Sequence, residues 1–169
     1  MSSKEPKKNA CNSEFMTAKE KALVLRQWSS FLRSLLETDE ERVLTDYGFL
    51  PKKQFHRFTK TLYRHLSLHC MFIAHYNRAG FFARYFVNPK DTIRFLGQFD
   101  ASTGFKSVEY GSSLWVNDPS YSDVNRGMCD IFATMKEKLY AKLRERAKAR
   151  DLAIAQTLLS KYGLAIQGE

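Results

Sequence analysis

Three of the four histidines of the chain fall within residues 65–75, HLSLHCMFIAH, with His65, His69 and His75 at i, i+4 and i+10 and Cys70 between them. Zinc proteases of the HExxH type hold their metal at this spacing. Two histidines share a helical face, a glutamate between them is the base, and a glycine turn swings the third ligand back. Here Leu66 occupies the glutamate position and Phe72 the glycine position. On a continuous helix at about 100° per residue, His69 falls within the apolar face, His65 at its edge and His75 nearly opposite. His65 and His75 would be about 15 Å apart along such a helix, too far to share one ion. The plainer reading makes His69 a core histidine, His65 a boundary residue and Cys70 a small core side chain. A metal site on His65 and His69 is the minor alternative, and no cofactor is expected.

The same region carries a second chemistry. Between Asp46 and Asp91 there is no carboxylate, while those 44 residues hold eight Lys or Arg, all four His and eleven aromatics. Paired-carboxylate acid–base catalysis has no local footing there. With one helix running from residue 51 to about 78, Lys53, Arg57, Lys60, Arg64, His75 and Arg78 line up as one stripe opposite Phe55, Leu62, Leu66 and Ile73. The stripe would be roughly 37 Å long at the helical rise, close to the ~34 Å of one duplex turn. Like charges four residues apart repel, and a polyanion removes that cost while releasing counterions. Residues 136–150, KEKLYAKLRERAKAR, add seven Lys or Arg against Glu137 and Glu145, and from these Lys142 and Arg146 join the candidate set. Phe81, Phe82, Tyr85 and Phe86 suit either a base-stacking platform or a core, and their abundance favours the core. Tyr110, Trp115 and Tyr121 lie in or beside a Gly- and Ser-rich segment suited to recognition.

The elements that would position these groups follow from capping signals and periodicity. Thr17 and Glu20 form a capping box ahead of Leu25, Trp28, Leu32 and Leu35, which predicts a helix from about 18 to 37. TDEE at 38–41 repeats the signal and predicts a short acidic helix ended by Gly48. Pro51 opens the long helix, and Gly80 is its expected terminator. Residues 81–89 read as a strand or a further helical turn. Asn88-Pro89 opens a helix over 89–99, and Asp118-Pro119 opens one that runs to Tyr162, closed by Gly163. Residues 100–118 are expected to be a small β-hairpin or a long loop.

The chain of 169 residues carries a net charge of +9. A mainly α single domain of four to five helices is expected over 17–163, with tails at 1–16 and 164–169. Three scattered cysteines without a CxxC pair speak for reduced thiols and against a cysteine zinc site. The first residues lack the apolar core of a signal peptide, and no run is long enough to span a bilayer, so a cytoplasmic location and no membrane partner are expected. P-loop, dinucleotide, GxSxG and EF-hand motifs are missing, and no catalytic residue is assigned. The sequence therefore predicts a non-enzymatic, sequence-tolerant module binding RNA or DNA, a subunit working with other protein subunits in a nucleoprotein complex. The alternatives are an adaptor docking an acidic protein and a small metalloprotein.

Overall fold

The computed structural model describes residues 16–69, 76–100 and 119–164. Among these the chain forms six helices and one hairpin: α1 Ala18–Ser34, β1 Arg42–Thr45, β2 Gly48–Pro51, α2 Lys52–Arg57, α3 Lys60–His69, α4 Arg78–Phe86, α5 Pro89–Gly97 and α6 Pro119–Lys161. The mainly α class is as the sequence predicts. Of the predicted hairpin or loop at 100–118, all but Asp100, Tyr110 and Trp115 included, lies outside the described residues.

α1 begins at the predicted capping box, in which Thr17 Oγ1 accepts from Glu20 N and the Glu20 carboxylate accepts from Thr17 N. It buries Val24, Trp28, Phe31 and Leu32 and packs on α6, α2 and α3, with the Phe31 ring against Phe58 and Phe86. The Trp28 indole N–H reaches across to the Met128 carbonyl of α6 at 2.9 Å. α5 packs between α4 and α6.

The core is aromatic. Trp28, Phe31, Phe58, Phe81, Phe82, Phe95, Phe99 and Phe132 are fully buried, and their ring centroids pack 4.8–6.5 Å apart in tilted and edge-on pairs. Such geometry sets the positive edge of one ring against the negative face of the next. Phe81, Phe82, Tyr85 and Phe86 all belong to this core. They form no stacking platform, because α4 turns them inward.

Two predicted elements differ. The acidic helix expected after Thr38 is instead an antiparallel hairpin with Val43 opposite Leu50 and Leu44 opposite Phe49. The RVLT and GFLP segments alternate, so one strand face buries Leu50 while Leu44 and Phe49 stay exposed. Gly48 does not end a helix. It opens β2 directly after the turn residues Asp46 and Tyr47 with a φ of 99°, a conformation open to glycine at little cost.

The continuous helix expected from 51 to about 78 is also broken. α2 stops at Phe58, whose ψ of 77° leaves the helical region, and Thr59 restarts the chain as α3 by accepting from Leu62 N. The cause is packing. An unbroken helix would have to present Phe55, Phe58, Leu62 and Leu66 to a core that wraps around it, and the break sends the Phe58 ring into the centre. A third helix then starts at Asn77, whose side chain accepts from Gly80 N at 2.7 Å. Gly80 therefore sits in the first turn of α4 and terminates nothing.

Cys129 is buried on α6. Its thiol is pushed up to about 12, first by burial and then by the neighbouring Asp130 carboxylate. The folded state thus holds the thiol proton more tightly than the unfolded chain does. That contribution to stability is whole below the ordinary thiol range and is lost as pH rises toward about 12. With Cys11 and Cys70 replaced by Ser, we expect the native protein to resist iodoacetamide at pH 8 and to label fully in denaturant. Fast native labelling would contradict the burial.

Candidate nucleic-acid interface

The helix break redistributes the predicted stripe. Lys53 and Arg57 lie on α2 and Lys60 and Arg64 on α3, all four exposed. They therefore do not form one straight row. Arg78 has a partner within the fold. Its Nη1 donates to the Phe58 carbonyl at 3.0 Å, and its guanidinium lies 4.4 Å above the Phe55 ring. The carbonyl released by the break must find a donor, and Arg78 provides it. His75 lies outside the described residues.

Arg146 likewise has partners within the fold. From α6 it donates Nη1 to the Leu35 carbonyl and Nη2 to the Glu37 carbonyl, the latter at 2.7 Å. Gln54 Nε2 donates to the Ser34 and Glu37 carbonyls at 3.0 and 2.9 Å. These are carbonyls at the C-terminal end of α1 and just beyond it, where a helix runs out of its own donors and where its dipole favours a cation. Burial holds the Arg146 guanidinium below the usual arginine range, with Glu145 opposing. Lys142 is half-buried and lies 4.0 Å from Glu145.

The tertiary structure also changes the carboxylate-free reading. Asp39 accepts from Lys53 N, Glu41 pairs with Lys52 at 2.8 Å, Asp91 lies 3.6 Å from Arg84 and Asp151 pairs with Lys90 at 2.8 Å. Distant carboxylates thus fold back onto both ends of the basic stretch. Its middle keeps none: among the described residues, Arg57, Lys60 and Arg64 form no ion pair.

Arg57 packs toward α1, with Nη1 3.3 Å from Ser30 Oγ, and Thr59 Oγ1 donates to Gln27 Oε1. These two bonds fasten α2 and the start of α3 to the outer face of α1. They enclose an open cavity of about 300 Å³ lined by Arg26, Gln27, Ser30, His56, Arg57 and Thr59. Its lining has two guanidiniums, one imidazole and three neutral polar groups, and no carboxylate. Guanidinium and imidazole groups are of the chemical type that donates to phosphate. Arg26, Gln27, Ser30 and His56 are not among the residues the sequence pattern singles out. Their only signal there is that Arg26 and Ser30 are four residues apart on the polar side of α1, which does not say what packs beside them.

His65 is buried rather than at a boundary. Its Nε2 lies 2.8 Å from Asn125 Oδ1, which ties α3 to α6. His69 ends α3, but its side chain, like Cys70, is outside what is described. Among the described residues no group of three or more His, Cys, Asp or Glu is arranged to hold a metal.

One buried ion pair has no signal in the sequence pattern. Asp100, just past α5, accepts from Lys136 Nζ at 3.0 Å and from Tyr140 OH at 3.1 Å. Burial, and next the hydrogen bond to Asp100, raise the Tyr140 phenol above its ordinary range. All three partners join α5 to α6, which makes the cluster a fastening between elements.

No helix among the described residues is long and apolar enough to cross a membrane. No protein-family model, curated protein or solved structure matches the chain.

Proposed function

We propose that the chain binds nucleic acid without sequence preference, through phosphate contacts in the cleft between α1 and α2–α3. The observation that carries this reading is the carboxylate-free cavity where Arg26, His56 and Arg57 meet, continued by the exposed Lys60 and Arg64. The reading is that affinity comes from counterion release and tracks phosphate number rather than sequence. The net charge of +9 adds long-range attraction. The expected role is that of a non-catalytic subunit working beside other proteins in a nucleoprotein complex.

The test is fluorescence anisotropy with labelled single- and double-stranded DNA and RNA over a salt series. The parent should bind with affinity falling steeply as salt rises. The double variant Arg26→Ala/Arg57→Ala should lose roughly tenfold or more in affinity for every sequence, and its salt slope should flatten by about one unit for each phosphate no longer neutralised. Lys148→Ala, on the far part of α6, is the control and should change little. A parent that binds no nucleic acid at low salt sinks the proposal, as does a double variant with unchanged affinity and slope. Binding of an acidic polypeptide by a parent that ignores nucleic acid would favour an adaptor instead.

A further inference from the structure

α6 is 43 residues long, about 64 Å at the helical rise. The body covers only part of it. Its inward face runs Val124, Met128, Phe132, Leu139, Leu143 and Ala147, and Ala147 is the last buried residue. Beyond Asp151, which still reaches Lys90 of α5, the helix projects by about 15 Å to Lys161.

This projection is not a fraying end. It stops at Gly163, φ 68°, where Leu164 N donates to the Leu159 carbonyl at 2.8 Å and Gly163 N to the Ser160 carbonyl at 3.2 Å. Those two bonds are the pair of the Schellman motif, which satisfies the last carbonyls of a helix.

The projection is also apolar. Leu152, Ile154, Leu158, Tyr162 and Leu164 are exposed by 49–70%. Ile154 and Leu158 continue the line of Leu143 and Ala147, within about 60° of one another on the helix. Ala155, Leu159 and Tyr162 widen the stripe on one side, while Gln156, Thr157 and Ser160 fill the opposite face. Contiguous apolar surface of this kind on a folded body marks a contact site.

We infer that this face pairs with the same face of a second copy, antiparallel, about a two-fold axis passing beside Gln156. Charge complementarity selects this occupant. In a chain of net charge +9, residues 151–164 carry only Asp151 and Lys161, which stand five residues either side of Gln156. Both lie on the seam with Ile154 and Leu158. Antiparallel pairing sets Asp151 against Lys161 of the other copy at both ends, and Ile154 against Leu158 in the middle. A two-fold contact needs such self-complementarity, in which residue i meets j and j meets i. Parallel pairing would set like against like. Lys90 Nζ of α5 already lies 2.8 and 3.0 Å from the two Asp151 oxygens, yet the side chain remains 55% exposed, and each carboxylate oxygen has a further lone pair with which to accept from the incoming lysine. The projection is long enough for the second helix to lie along it and stop at the body.

The inference is independent of the nucleic-acid reading and is tested without nucleic acid. Size-exclusion chromatography with light scattering at micromolar concentrations should give twice the 19.6 kDa chain mass. Leu158→Glu puts two carboxylates beside the axis and should weaken association by about a hundredfold or more, with the helical circular dichroism unchanged because the residue lies outside the body. Asp151→Lys and Lys161→Asp should each dimerise poorly alone. Mixed together they should form a heterodimer, since every charged layer is then complementary. A monomeric parent overturns the inference, whether it stays free or partitions onto anionic lipid vesicles. So does a dimer that survives Leu158→Glu, or a mixture of the two charge variants that associates no better than either alone.

Discussion

Phe58→Ala lowers the unfolding free energy by about 4 kcal/mol, the middle of the range for removing a buried aromatic ring. The Phe58 side chain is fully buried, and its ring centroid lies 5.3 Å from Phe31, 5.7 Å from Phe81, 5.9 Å from Phe82 and 5.3 Å from Phe86. Those neighbours come from α1 and α4, so the cavity would open where elements distant in sequence meet. A second loss follows from the backbone. The break at Phe58 is held by its ring in the core and by Arg78 on its carbonyl. Without the ring, residues 52–69 are free to straighten into one helix, which would pull Arg57 and Thr59 off α1. Denaturant titration measures the loss, and the melting temperature should fall by roughly 8–16 °C for a chain of this size. Phe55, half-buried at the edge of the cluster, is the comparison, and Phe55→Ala should cost clearly less. Equal costs would contradict the placement of Phe58 at the centre.

Arg146→Ala is the second large effect, about 3 kcal/mol, from two hydrogen bonds donated by a charged group to carbonyls that then lack that donor. The Leu35 carbonyl depends on it most, since Gln54 still serves Ser34 and Glu37. Arg146→Lys should recover only part, because an ammonium on a flexible stem does not reproduce the two-pronged geometry of guanidinium. Urea denaturation of the three proteins ranks them. The discriminating measurement is nucleic-acid binding by the folded Arg146→Lys variant, which should keep the parent salt slope. A slope flattened by a full unit would place Arg146 in the interface.

Both residues show where sequence pattern reaches its limit. The positions of α1, α5 and α6 were legible because their start signals are local. Thr17 with Glu20 and Asn88 with Pro89 satisfy backbone donors within one turn, and Gly163 supplies a positive φ that the last turn of α6 needs. The interior pattern of α1 was legible too, since Trp28 and Leu32 fall at helical spacing and face one direction. Other elements were settled at long range. Residues 38–51 carry both a capping signal and an alternating pattern, and the hairpin prevails because Leu50 finds the core. Phe58 breaks a helix that periodicity alone would continue, because the core lies on more than one side of it.

The same division holds for the candidate site. Sequence by itself determined that the chain is helical, strongly basic, rich in aromatics and without carboxylates over 47–90, since these are properties of composition and of contacts between near neighbours. The exclusion of one ion shared by His65 and His75 assumed a continuous helix, and α3 ends at His69. Only the tertiary structure decided which cations are spent and which are left. Arg78 and Arg146 donate hydrogen bonds to carbonyls stranded at helix ends, and Asp39, Glu41, Asp91 and Asp151 return to the flanks of the basic stretch. Arg57, Lys60 and Arg64 keep their exposure, and Arg57 meets Arg26 across a cleft whose two walls are 31 residues apart in the chain. A charge pattern along a sequence cannot distinguish these fates. The free energy of each cation is set by the nearest acceptor in space, and that neighbour is chosen by how the aromatic core packs.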